Sequence, residues 1–62
     1  MNTEMLREEF ENILSHEERA KNFYDHYIDQ IDDENVKKQL ISIRDDEVRH
    51  MKFAKQLIDC VK

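Results

Sequence analysis

The 62 residues contain no glycine, no proline and no tryptophan. With both helix breakers absent, and the β-branched residues scattered singly among Glu, Lys, Arg, Gln and Leu, helix is the only regular structure the sequence supports. The fold class expected is all-α. Cysteine occurs once, at Cys60. A lone cysteine forms no intramolecular disulfide and builds neither a cysteine-based zinc site nor a rubredoxin-type iron site, so the chain reads as cytoplasmic and disulfide-free. No apolar run exceeds two residues, and the first ten residues are acidic rather than basic. Neither a transmembrane span nor a signal peptide is therefore expected. Positive charge is also in deficit, with 10 Lys and Arg against 15 Asp and Glu and a net charge of −5. That balance argues against nucleic acid and anionic membranes as partners and favours cations.

Apolar residues recur with a helical period in two blocks. The first runs Leu6, Phe10, Ile13, Glu17, Ala20, Tyr24, Tyr27, Ile31, and the second Val36, Leu40, Ile43, Glu47, His50, Ala54, Leu57, Val61. Steps of three and four alternate in both, which is the pattern of a heptad core. Extending the first seam beyond Ile31 would place Glu34 and Lys38 inside, whereas the apolar pattern resumes at Val36 and Leu40. The phase breaks at Asp32-Asp33-Glu34-Asn35, where an Asp can cap a second helix and acids suit its positive end. The expectation is one antiparallel hairpin: helix 1 over about 3–31, a turn at about 32–34, and helix 2 over about 35–61. Ser15-His16-Glu17-Glu18 has the form of a capping box, but the heptad passes through it unbroken. Leu14, Phe23 and Ile28, with Ile41, Met51, Phe53 and Ile58, make the apolar stripe wider than a two-helix seam. A chain this short buries little by itself, and a homodimer forming a four-helix bundle would cover that width.

Three seam positions are polar: Glu17 in the first block, Glu47 and His50 in the second. Glu47-Val48-Arg49-His50 is a Glu-x-x-His pair whose side chains leave a helix on one face. Equal distances from the turn mean equal rise, so Glu17 falls opposite residues 47 to 50. A Glu–His ion pair that merely fixes register is one reading of this layer. A divalent cation held by all three is the other, and charge counting favours it. A two-fold dimer assembles four carboxylates and two imidazoles, which two divalent ions neutralise; without them the carboxylates repel and their pKa values rise. Oxygen ligands with one nitrogen per metal suit iron or manganese, and zinc would substitute.

These residues resemble the ferritin-like di-iron carboxylate family, whose bundles take one Glu from each of two helices and a Glu-x-x-His from each of the others. Glu17-Glu18-Arg19-Ala20-Lys21-Asn22-Phe23-Tyr24 resembles the first ligand helix of rubrerythrins, and Arg44-Asp45-Asp46-Glu47-Val48-Arg49-His50 the second. The likeness covers roughly residues 13 to 58. Because a single hairpin is present, the chain is most similar to encapsulated ferritins, in which a dimer interface completes the di-iron site. The resemblance implies that Glu47 bridges two metals, that Glu17 chelates or bridges, and that His50 is a terminal ligand. It implies a ferroxidase that oxidises Fe(II) with oxygen or peroxide for iron storage or detoxification. It also implies a homodimer or a ring of dimers, in the cytoplasm or inside an encapsulin shell. Such family members extend into a shell-docking peptide, which is not seen in these residues. The alternatives are a rubrerythrin-like peroxide scavenger and a non-catalytic helical dimerisation module.

Other polar residues are weighed around this layer. Tyr24, one heptad beyond Glu17, is a candidate catalytic side chain that would orient a ligand carboxylate or donate an electron, with a plain core tyrosine as the alternative. Asp46, four residues before His50, is more simply a solvated acid than an imidazole partner. His16 and His26 lie off the seam and read as surface residues. Glu8, Glu9, Glu11, Glu18, Asp25 and Asp29 either draw cations to the site or form an ordinary soluble face.

Overall fold

In a computed structural model, which describes residues 2–61, the chain forms two helices, α1 (Thr3–Gln30) and α2 (Glu34–Cys60). No strand occurs among the described residues. The helices pack side by side as an antiparallel hairpin of 47 × 14 × 13 Å. Neither is long and apolar enough to cross a membrane.

Both helices begin on a side chain that satisfies amides left free by the first turn. The Asn2 side-chain oxygen accepts from the Met5 amide at 2.8 Å. Asp33 accepts from the amides of Asn35 and Val36 at 2.9 and 3.0 Å, and Glu34 adds an acid at the positive end of α2. Because Asp33 takes the cap, α2 starts one residue earlier than the apolar period indicates. Ile31, expected as the last residue of the first helix, instead leaves it with φ −90° and ψ 131°, its amide donating to the Tyr27 carbonyl. The turn needs no glycine, since no described residue has a positive φ. The chain reverses over Ile31, Asp32 and Asp33, of which Ile31 and Asp33 are extended. α1 passes through Ser15 without interruption.

Two helices meet along one line, and only part of each apolar stripe lies on it. Leu6, Phe10, Leu14, Tyr24 and Ile28 are half-buried on α1, as are Leu40, Ile41, Met51 and Ile58 on α2, and Ala54 is the one buried hydrophobic residue among those described. The small Ala54 side chain sits where the helices pack. At the open end, the Arg7 guanidinium donates to the Val61 carbonyl at 3.2 Å and ties the end of α2 to α1. Its Nε is buried without a partner.

The rest of the stripe is open to water. Ile13 and Tyr27 on α1 are 44% and 40% exposed, and Val36, Ile43 and Leu57 on α2 are 39–44% exposed. These residues recur at heptad spacing, Ile13–Ala20–Tyr27 and Val36–Ile43–His50–Leu57, so each set forms a ladder along its helix. In antiparallel helices both ladders flank the contact line on the same side. The hairpin therefore has one open apolar face, edged by Phe23 and Phe53, each 60% exposed.

Candidate metal centre

Residue spacing places three side chains able to ligate a cation at mid-length of the hairpin. Steps of three residues carry the α2 surface through Arg44, Glu47 and His50, each step turning it by about 60° towards the open face. Steps of four carry the α1 surface through Asp25, Lys21 and Glu17 in the same sense. The two rows meet where they reach the open face. One ligand atom from each of Glu17, Glu47 and His50 lies within 4.8 Å of the others. His50 Nδ1 is 3.4 Å from a Glu17 oxygen and 4.0 Å from a Glu47 oxygen.

The layer is not dry in the single hairpin. The Glu17 and Glu47 side chains are 23% and 19% exposed, whereas that of His50 is 54% exposed and stands at the rim. A histidine seam position expected to be internal thus lies on the open face, because a lone hairpin covers only one side of each helix. The electrostatics fit a cation. Glu17 lies close enough to share a proton with Glu47 and, with partial burial and charge repulsion added, raises the Glu47 carboxyl above its ordinary value of 4.5; His50 acts in the opposite direction. Two carboxylates that disfavour each other's charge, with an imidazole beside them, are a donor set a divalent ion can relieve.

The other polar residues weighed in the sequence make contacts of their own. Tyr24 is half-buried and lines a shallow hollow with His16, Arg19, Ala20 and Phe23. Asp46 ion-pairs with Arg49 rather than with His50. His26 meets the Gln30 amide nitrogen at 3.2 Å and packs edge-on against Tyr27. Asp25 is engaged by Lys21 at 2.7 Å and, across the hairpin, by Arg44 at 2.8 Å. Those contacts hold its carboxyl below the usual range, Lys21 contributing most and Arg44 next. The sequence pattern reads Asp25 as an acid that either draws cations to the site or belongs to an ordinary soluble face, and it gives no signal for Arg44 as its partner. The Lys21–Asp25 spacing is legible in the sequence, but its partner on the other helix depends on how the two helices are rotated.

Compared with known protein families, curated proteins and solved structures, the chain shows no significant match.

Proposed function

We propose that the hairpin dimerises through its open face and acts as a ferroxidase, with Fe(II) as substrate held by Glu17, Glu47 and His50 of two copies. The observation that carries this reading is the approach of all three ligand atoms to within 4.8 Å on the face that lacks a cover. Three donors leave a cation undersaturated, and a second copy on the open face would supply the duplicate set while burying both heptad ladders. Four carboxylates and two imidazoles then match two divalent ions in charge. Manganese and zinc suit the same donors and would compete.

In this reading two Fe(II) ions each give up one electron. Oxygen takes the pair with two protons to become hydrogen peroxide, or peroxide takes it with two protons to become two waters. The side chains would hold the ions close, and the charge of a bound cation offsets the repulsion between Glu17 and Glu47. The two carboxylates also favour the more highly charged product ion. An anaerobic Fe(II) titration followed by an oxygen pulse tests the proposal. Saturation at one Fe(II) per chain and conversion to Fe(III) on the pulse, both lost in Glu47→Ala, support it. Fe(II) that stays unbound, or oxidises no faster than in buffer, overturns it.

A further inference from the structure

Glu17 stands on α1 and Glu47 and His50 on α2, so the three ligand atoms meet only at one axial register and one rotation of α2 on α1. We infer that Arg44 and Asp25 are positioning residues for the metal centre, acting from the opposite flank of the hairpin; this rests on the reading of Glu17, Glu47 and His50 as ligands.

The geometry is a two-point fix. Arg44 lies one helical turn before Glu47, and Asp25 two turns after Glu17, on the far ends of the two rows that converge at the centre. Arg44 Nη1 donates to Asp25 at 2.8 Å, and Lys21 holds the other Asp25 oxygen at 2.7 Å. Arg44 Nε donates in addition to Asp45 at 2.9 Å, which leaves the guanidinium little freedom to turn. The side chains of Lys21, Asp25 and Arg44 are only 29–33% exposed. Sliding α2 by one heptad would move it about 10.5 Å along α1, enough to part both Arg44 from Asp25 and Glu47 from Glu17. Apolar seams repeat every heptad and resist such slips weakly, whereas a directional ion pair between single residues has one register.

Arg44→Gln and Arg44→Lys, with Leu14→Ala as a packing control, test this on the full chain. Two readouts are needed: nuclear Overhauser contacts between the His50 ring and the Glu17 methylenes without metal, and Co(II) affinity with its visible absorption band. Arg44→Gln should lose the contact and bind Co(II) roughly tenfold more weakly with an altered band. Arg44→Lys should recover most of both, and Leu14→Ala should lower the melting temperature without changing the band. Loss of the contact in Arg44→Gln, in a protein whose wild type binds no Co(II), would support the positioning role and overturn the metal reading. Retention of the wild-type contact and Co(II) affinity in Arg44→Gln would overturn the positioning role and leave the metal reading intact.

Discussion

Replacing Glu47 by Gln should stabilise the metal-free protein at neutral pH and destabilise the metal-loaded one. Gln keeps the size of the side chain and offers an N–H to Glu17 but carries no charge. Two unit charges about 4 Å apart repel by ~4 kcal/mol at an effective dielectric near 20. Water on the open face screens the pair, and the retained part is about 1 kcal/mol. For a chain of this size that is a rise in melting temperature of about 4–8 °C. The pH dependence has a definite sign. The Glu47 carboxyl is raised in the folded chain, so the folded state binds more protons than the unfolded one. Its contribution to stability is complete below the ordinary value of 4.5 and is lost as pH rises through the raised one. The advantage of Glu47→Gln over wild type should therefore be present at pH 7 and vanish below about pH 4. A divalent ion at a hundred times its dissociation constant adds about 2.7 kcal/mol to a protein that binds it, which reverses the order. Thermal melts with chelator and with excess Mn(II), across pH 3.5–7.5, read all of this. A variant less stable than wild type at pH 7 in chelator, or a difference that ignores pH, would refute the reasoning.

The other predictions concern the parts that frame the centre. Ile43→Arg places a charge in the middle of the open face and should leave a helical monomer that no longer takes up one metal per chain, measured by light scattering and metal analysis. Asp33→Ala removes the acceptor for two amides and should cost about 1 kcal/mol, seen as a lower urea midpoint with metal stoichiometry unchanged.

Much of this arrangement was legible in the residues because helix arithmetic is local. The phase break before Val36 and an Asp cap on α2 follow from neighbours in sequence, and equal distance from the turn is enough to set Glu17 opposite Glu47 and His50. What was not legible depends on rotation. A heptad seam tells which residues are apolar, but not which half of the stripe meets the other helix of the same hairpin. So Leu14, Ile28 and Met51 take part in the contact, while Ile13, Tyr27 and His50 face outward. Arg44 escaped notice for the same reason. The turn needs no left-handed glycine, because the helix ends at Ile31 and restarts at Asp33 with both residues extended.

The most direct test is the native mass of the protein under anaerobic conditions, with and without Fe(II). The account predicts a dimer carrying two iron ions, which falls back towards monomer when His50 or Glu17 is replaced by Ala. A protein whose mass and association are indifferent to Fe(II) and to those substitutions would contradict it.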